Sequence, residues 1–375
     1  MIMKKILIVR RYSGYGGIER QIEQIAFGLK KAGYSVLLIS DKESPLTRTL
    51  TSGGIEVQVL AFDGIIKTAY KIRKICQLRN ITVIQSHMLW ESFLCRAVKL
   101  MYPRVLNVFR VHTYIDCSHI SNTKKNAYHI VSKITDCLVN YYASINYFNI
   151  KELKERTHIS QKKIFLVHDA VRLLLTEETV FVPPNGHIAM IANFVNFKGH
   201  DVLLQSMKIL KDKGYKIIAH LYGGVPGAGT NFENTIILDK IKKNIVEYDL
   251  CNEVIIEGFS EDIKTSLNNV GIVVLPSYAE GTPNVLLEGM LLKKIVIASD
   301  VGGIPEFITD NKTGFLHRSG AAEELASIII KVHNAPQILL EKMALEAENL
   351  VKLEYNSNQL IEGLISIYKK HEERQ

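Results

Sequence analysis

The sequence has 375 residues, of which 47% are hydrophobic, and its net charge is +8. This length favours two domains over one. No apolar run approaches the roughly 18 residues that cross a bilayer, and the apolar stretch at 6–9 is too short for a signal peptide. Five scattered cysteines in no paired spacing argue against a disulfide framework or a zinc site. We therefore expect a cytoplasmic protein.

The positive charge is concentrated in the first half of the chain. Residues 1–172 contain 27 Lys and Arg against 12 Asp and Glu, whereas the remainder contains 19 against 26. Either these are ordinary solvated faces, or the first half contacts an anionic partner such as the inner face of a membrane or a lipid-phosphate acceptor. Nucleic acid is not an expected partner, because no motif that reads or stacks bases is present.

Short apolar runs alternate with amphipathic segments along the first half. The segment 18–31 carries apolar residues on one helical face. The unbroken Val/Ile-rich runs are typical of strands buried on both faces. Strands are predicted at 6–10, 36–40, 57–62, 81–87, 105–112, 137–141 and 164–168. This order predicts a parallel sheet covered by helices on both sides.

A Pro pair followed by Asn-Gly interrupts this rhythm within 173–186, where we place a linker. The alternation then resumes, and from 321 onward the pattern predicts helices only. The second set of strands is predicted at 187–194, 217–222, 254–259, 272–276, 295–299 and 315–317. We therefore predict an α/β protein with two Rossmann-like domains that face a cleft. The predicted segments are a first domain at 1–172, a second at 187–352 and a final helix at 353–375.

The most informative segment is LPSYAEGTPNVLLE at 275–288. A strand is predicted to end at Pro276 and a helix to begin near Asn284, which would place a helix N-terminus at the carboxyl end of a parallel strand. Such an N-terminus offers backbone N–H groups and a partial positive charge to an anion, for example a diphosphate. Glu280 and Glu288 flank the loop and could accept hydrogen bonds from sugar hydroxyls. The alternative is an ordinary strand–turn–helix with two surface glutamates.

Four ordered motifs resemble those of family-4 retaining glycosyltransferases of GT-B fold. They are SYAEGTPN at 277–284, LEGM at 287–290, VGGIPE at 301–306 and KTGFL at 312–316. The resemblance implies that Glu280 contacts the donor sugar and that Glu288 binds the ribose. It also implies that the final helix packs back on the first domain. The implied donor-binding residues of this segment are Gly281, Thr282, Asn284, Val285, Leu286 and Glu288.

Three further segments extend the resemblance. In FKGHD at 197–201, the family's lysine contacts the donor phosphates, which implies this role for Lys198 as a fixed cation against the leaving diphosphate. Family members often carry an arginine a few residues earlier, and none is present here. GYGGIE at 14–19 is similar to the family's GGxE loop, in which Gly16 and Gly17 let the backbone approach the donor. His112, at a predicted strand end, resembles a histidine that faces the donor sugar.

The resemblance implies a retaining hexosyltransferase that moves a sugar from a nucleotide-diphosphate sugar to a hydroxyl of a glycan or lipid-linked acceptor, as in cell-surface polysaccharide synthesis. The expected catalytic residues are Glu280, Lys198 and His112. No Asp-x-Asp element is present, so no metal and no cofactor other than the donor substrate is expected. A non-hydrolysing nucleotide-sugar epimerase and a non-catalytic sugar-nucleotide-binding subunit stay open as alternatives.

Overall fold

The computed structural model describes residues 4–12, 16–112, 122–157, 159–171, 179–224, 232–260 and 262–372. The chain forms two compact units, one of Met1–Arg172 with Asn356–Gln375 and the other of Leu173–Tyr355. Each unit contains one parallel sheet with helices around it. The predicted α/β fold class is confirmed. Residues 14 and 15 of the glycine loop and 173–178 of the expected linker lie outside the described residues.

The first unit is built on seven parallel strands in the order β3-β2-β1-β4-β5-β6-β7. The strands are β1 Lys5–Arg10, β2 Ser35–Ser40, β3 Glu56–Val59, β4 Val83–Ser86, β5 Leu106–Val111, β6 Tyr141–Ser144 and β7 Ile164–Leu166. The helices between them are α1 Gly17–Lys31, α2 Pro45–Ser52, α3 Ile65–Arg79, α4 Leu89–Met101, α5 Asn122–Ile134 and α6 Tyr147–Thr157. The central strands are buried on both faces, as their continuous Val/Ile/Leu runs predict.

One predicted strand is wrong in position. The sequence analysis placed a strand at 137–141, but residues Asp136–Leu138 form a 3-10 turn and the strand is Tyr141–Ser144. The turn is held by hydrogen bonds to Asp136, which accepts from Tyr142 Oη at 2.8 Å and from Lys163 Nζ at 2.8 Å. These side-chain contacts form across the tertiary fold, so the apolar run alone could not reveal them.

The second unit repeats the pattern with six parallel strands in the order β10-β9-β8-β11-β12-β13. The helices are α7 His200–Asp212, α8 Phe232–Glu247, α9 Ile263–Leu267, α10 Asn284–Leu291, α11 Ala322–His333 and α12 Gln337–Glu354. The strands are β8 His187–Ile191, β9 Ile218–Tyr222, β10 Val254–Gly258, β11 Ile272–Leu275, β12 Ile295–Ser299 and β13 Phe315–His317. Strands β11 and β12 are fully buried.

The last helix, α13 Ser357–Glu372, belongs to the first unit. Its apolar side chains Leu360, Leu364 and Ile367 are buried in the same cluster as the inner face of α1. Gly28 of α1 allows a close approach, because a Cβ there would lie 2.4 Å from the side chain of Ile361. The core of the first unit is therefore completed by the final segment of the chain.

Candidate active site

The strand order of the second sheet reverses between β8 and β11, and residues after these two strands form a charged cluster. In open parallel sheets such a reversal leaves a crevice at the carboxyl ends of the strands, where ligands bind. Lys198 follows β8 and Glu280 follows β11. Lys198 Nζ lies 2.6 Å from Glu280 Oε1, and Ser277 Oγ donates to the same oxygen at 2.7 Å. The predicted lysine and the predicted glutamate therefore form a direct ion pair.

Lys198 is positioned by a close contact between two loops. Gly199 has a φ of +75°, and a Cβ at this position would lie 1.9 Å from the carbonyl oxygen of Pro276. The backbone N–H of Tyr278 donates to Phe197 O at 2.8 Å. Only glycine fits both this backbone conformation and this distance, so the turn that carries Lys198 rests directly on the end of the strand before Glu280.

The loop that carries Glu280 is braced by the next loop of the sheet. Gly302 has a φ of +57°, and a Cβ there would lie 1.8 Å from Glu280 O. Gly303 N donates to Gly281 O at 3.1 Å, and Ser299 Oγ donates to the carbonyl of Ser277. The VGGIP motif after β12 thus supports the Glu280 loop from below, a role that the sequence analysis did not assign.

Helix α10 begins at Asn284, as predicted. Its N-cap residue is Pro283, whose side chain makes no capping hydrogen bond to the first turn. The resemblance implies that the backbone amides of Asn284, Val285 and Leu286 hold the diphosphate, but that of Leu286 donates to Pro283 O at 3.1 Å. Leu286 is buried, whereas Gly281, Thr282, Val285 and Glu288 are half-exposed around the helix start. Glu280 and the helix start therefore both follow β11, and the ion pair links them to Lys198, which follows β8.

The glycine loop of the first unit is held by a buried charge cluster. Gly16 N donates to Glu19 Oε2 at 3.0 Å, and Gly17 is the first residue of α1. Arg10 contacts Glu19 Oε1 at 2.6 Å and Glu91 Oε1 at 2.9 Å, and all three side chains are 4% exposed or less. Glu19 therefore fixes the loop. The sequence analysis missed Arg10 and Glu91, which become neighbours only when β1 and α4 assemble.

His112 lies directly after β5 and both of its ring nitrogens have protein partners. His112 Nε2 lies 3.0 Å from His87 Nδ1, and His112 Nδ1 lies 3.3 Å from Asp169 Oδ2. Arg110 Nη2 contacts the other carboxylate oxygen of Asp169 at 2.6 Å. Burial opposes the charged form of Asp169, but His112 and Arg110 outweigh it and lower the pKa of Asp169 to about 2. Asp169 is thus an anion between two donors.

The backbone of His112 is fixed as well, because its carbonyl accepts a hydrogen bond from Asn149 Nδ2 at 3.0 Å. No role was predicted from the sequence for His87, Arg110 or Asn149. The sequence offers one hint for two of them, since His87 and Arg110 each lie at or beside the end of a predicted strand. The structure brings them together with His112 because β4 and β5 are neighbours in the sheet.

Comparison with known proteins bears on the second unit most directly. Residues 175–350 match the family model of the glycosyl transferases group 1. The second unit therefore matches a group 1 glycosyl transferase domain over nearly its whole length. A relative from Staphylococcus aureus, poly(ribitol-phosphate) alpha-N-acetylglucosaminyltransferase, is 26% identical over 203 residues, which is 54% of this chain and 37% of that protein. An uncharacterized glycosyltransferase of Methanocaldococcus jannaschii is 24% identical over 90% of this chain and 91% of its own.

The fold of the whole chain also matches solved glycosyltransferase structures. HepE of Anabaena, solved in complex with UDP and glucose, aligns with a TM-score of 0.84 over 98% of this chain and 100% of its own, at 16% identity. At this identity the likeness shows the fold alone, two parallel α/β sheets of GT-B type. The chain spans only about a third of the length of the first curated relative, so that protein's substrates do not transfer directly.

Within the second unit, the structure pairs Lys198 with Glu280, shortly before the start of α10 in the chain. His112, Gly16 and Gly17 lie in the first unit, at the carboxyl ends of β5 and β1. Among the described residues, no group of three or more His, Cys, Asp or Glu side chains is arranged to hold a metal ion. No helix in the described part of the chain is long and apolar enough to cross a membrane.

Proposed function

We propose that this protein is a retaining glycosyltransferase that moves a sugar from a nucleoside-diphosphate donor to a hydroxyl of a glycan or lipid-linked acceptor. The observation that supports it best is the pairing of Lys198 with Glu280 beside the start of α10. A cation and a helix N-terminus suit the two phosphates, and a carboxylate suits the hydroxyls of the attached sugar.

The geometry separates the two oxygens of Glu280. Oε1 accepts from both Lys198 and Ser277, whereas no side chain or amide of the described residues donates to Oε2. Oε2 is therefore the oxygen that we assign to a sugar hydroxyl. On this assignment Ser277 and Lys198 orient the carboxylate, and Glu280 contributes by positioning the sugar. It is not assigned as a nucleophile.

In the proposed reaction, the bond between the sugar and the diphosphate breaks while charge builds on the leaving phosphate. Lys198 and the amides at the start of α10 stabilise that charge without rearrangement. The leaving phosphate oxygen assists removal of the acceptor proton on the same face of the sugar, which retains the anomeric configuration. No step of this route requires a metal ion.

The acceptor side of the proposal involves an anionic membrane on the cytoplasmic face. On α3, Lys67, Lys71 and Lys74 repeat at the spacing of one exposed helical face, and Tyr70 and Leu78 are also exposed, by 47% and 82%. Lysines beside exposed apolar side chains suit a negatively charged lipid surface. The name of the Staphylococcus aureus relative specifies a ribitol-phosphate polymer, and we extend this to a proposed role in cell-surface polysaccharide synthesis.

The test begins with UDP-, GDP- and ADP-sugars in a thermal-shift screen, because a ligand that binds the native state raises the melting temperature. The best donor is then incubated with glycan and polyprenyl-phosphate-linked acceptors, with and without a chelator. We expect a glycoside whose anomeric configuration matches that of the donor, unaffected by the chelator. An inverted product or loss of turnover with chelator would contradict the mechanism.

Two other outcomes would replace the proposed function. Conversion of the donor to its epimer without an acceptor would indicate a nucleotide-sugar epimerase. Tight binding with neither transfer nor hydrolysis would indicate a binding subunit. For the membrane, co-sedimentation with anionic vesicles should weaken with salt and on combining Lys67→Ala and Lys74→Ala. Equal binding to neutral vesicles would refute the electrostatic docking.

A further inference from the structure

A continuous row of hydrogen bonds joins the last helix of the chain to His112. Tyr368 Oη of α13 lies 2.6 Å from Gln85 Oε1, and Gln85 Nε2 lies 2.9 Å from His87 Nε2. His87 Nδ1 then contacts His112 Nε2 at 3.0 Å. Gln85 and His87 come from the end of β4, and all these side chains are at most 6% exposed. We call this row, which ends on Asp169, the Tyr368–Asp169 relay.

The direction of the relay is fixed at its Asp169 end. Arg110 is donor-only, so Asp169 accepts on Oδ1, and as an anion it also accepts on Oδ2. His112 Nδ1 must therefore carry a proton, because without one two acceptors, the ring nitrogen and the carboxylate oxygen, would face each other. The other nitrogen, His112 Nε2, faces His87 Nδ1, so its role depends on which nitrogen of His87 carries a proton.

The state of His87 follows from its burial and from its contact with Gln85. His87 is buried, and burial, with a smaller contribution from the charges of Arg110 and Arg10, holds its pKa well below the ordinary value, so its ring is neutral. The amide nitrogen of Gln85 can only donate, so His87 Nε2 accepts from it, and the proton of the neutral ring lies on Nδ1 and is donated to His112 Nε2. Gln85 Oε1 then accepts from Tyr368, and burial raises the pKa of that phenol, so it keeps its proton. Every donor in the relay therefore points towards Asp169.

We propose that His87, Gln85 and Tyr368 are positioning residues that hold His112 as a neutral imidazole with its proton on Nδ1. The expected effect of these residues on sugar transfer rests on the proposed role of His112 in facing the donor sugar. A carboxylate neighbour such as Asp169 would otherwise favour a cationic ring. The N–H that His87 donates to Nε2 opposes protonation there, so that positive charge developing on the sugar is not met by an imidazolium.

Two substitutions of His87 separate this role from a merely structural one. In His87→Asn the amide can still donate to His112 Nε2, whereas in His87→Asp a carboxylate must accept from it. A His112 that donates from Nε2 stabilises the ionised form of such a carboxylate. His112 in His87→Asp should therefore carry protons on both nitrogens. The two variants are nearly equal in volume, so lost packing alone would affect them equally.

The direct measurement is the ¹⁵N spectrum of histidine-labelled protein near pH 7.5, with signals assigned through His87→Asn and His112→Asn. We expect the Nδ1–H form for both rings in the wild type, and a doubly protonated His112 in His87→Asp. An Nε2–H or doubly protonated His112 in the wild type would overturn the relay. This readout needs no substrate, so it stands apart from the proposed function.

Sugar transfer supplies the second measurement. His87→Asn should retain turnover within about threefold, whereas His87→Asp should lose at least about tenfold in kcat with little change in the donor KM. Equal losses in the two variants would show that His87 acts through packing alone, and would overturn its proposed effect on sugar transfer. An absence of transfer in the wild type, with the expected spectra, would refute the proposed function while supporting the relay.

Discussion

The ion pair between Lys198 and Glu280 predicts opposite effects of two substitutions on nucleotide binding. In the unliganded site the carboxylate competes with phosphate for the lysine. Glu280→Gln removes that competitor and keeps the shape of the side chain, so a nucleoside diphosphate should bind more tightly. Lys198→Met removes the cation and should weaken binding. Both variants should lose sugar transfer, because each lacks one of the two groups that hold the donor.

The magnitudes follow from the surroundings of the pair. Two unit charges about 6 Å apart interact by about 3 kcal/mol at an effective dielectric constant of about 20. Lys198 is 19% exposed and Glu280 is 7% exposed, and solvent screening reduces the repulsion between carboxylate and diphosphate to about 1 kcal/mol, or roughly fivefold in Kd. Loss of charge-assisted hydrogen bonds in Lys198→Met costs about 1.5–3 kcal/mol, a weakening of roughly 10–100-fold.

Isothermal titration with the best-binding of UDP, GDP and ADP measures both effects. Lys208→Met is the matched control, because it removes the same charge from an exposed pair with Asp212 further along α7. Its Kd should equal that of the wild type. If Glu280→Gln weakened the nucleotide as much as Lys198→Met does, the pair would not be a competition, and the assignment of Lys198 to the phosphates would fail.

Three further predictions concern the same unit. Gly302→Ala should destabilise it by at least about 2 kcal/mol in urea unfolding, whereas Gly214→Ala, at a φ of +80° with nothing within 4 Å of a Cβ, should cost about 1 kcal/mol. Asn193→Arg places a cation at the exposed end of β8 and should tighten diphosphate binding; an unchanged Kd would show that a second cation is not limiting. Burial lowers the pKa of His200 from 6.5 to about 4, so as the pH falls the unfolded chain gains a proton before the folded protein does. The free energy of unfolding should therefore decrease by roughly 3 kcal/mol as the pH is lowered through this range. The substitution His200→Leu should abolish this loss.

The second unit was the more predictable part of the sequence. Its motifs contain glycines that the backbone geometry requires. Gly199 lies too close to Pro276 for a side chain, and Gly302 lies too close to Glu280. Substitution at these glycines produces a steric conflict, so the pattern of glycines and prolines itself marks where loops meet. The strand ends and the start of α10 at Asn284 followed from the same punctuation. The ion pair between Lys198 and Glu280 could not be predicted in this way, because the distance between two residues in separate loops is known only from the folded structure.

The first unit shows why the rest could not be predicted. Arg10, Glu91 and Glu19 are charged residues that would be assigned to the surface, yet they are almost fully buried. Their burial is tolerated because each carboxylate accepts from Arg10 and from a backbone N–H as well. The family resemblance implied that His112 faces the donor sugar, and that role stays a prediction. Its two ring nitrogens have protein partners from the end of β4 and from the segment after β7, and no local pattern encodes these contacts.

The Lys198–Glu280 pair also suggests why donor phosphate and donor sugar must be recognised together. While the donor is absent, the two side chains neutralise one another, which limits the cost of keeping a carboxylate that is 7% exposed. A diphosphate that draws Lys198 away leaves Glu280 with Ser277 as its donor and in need of a further hydrogen bond. Sugar hydroxyls supply that bond, whereas a free nucleotide does not. On this reasoning, exchange of partners at Lys198 couples phosphate binding to sugar orientation, and a nucleotide sugar should gain more affinity over its nucleotide in the wild type than in Glu280→Gln.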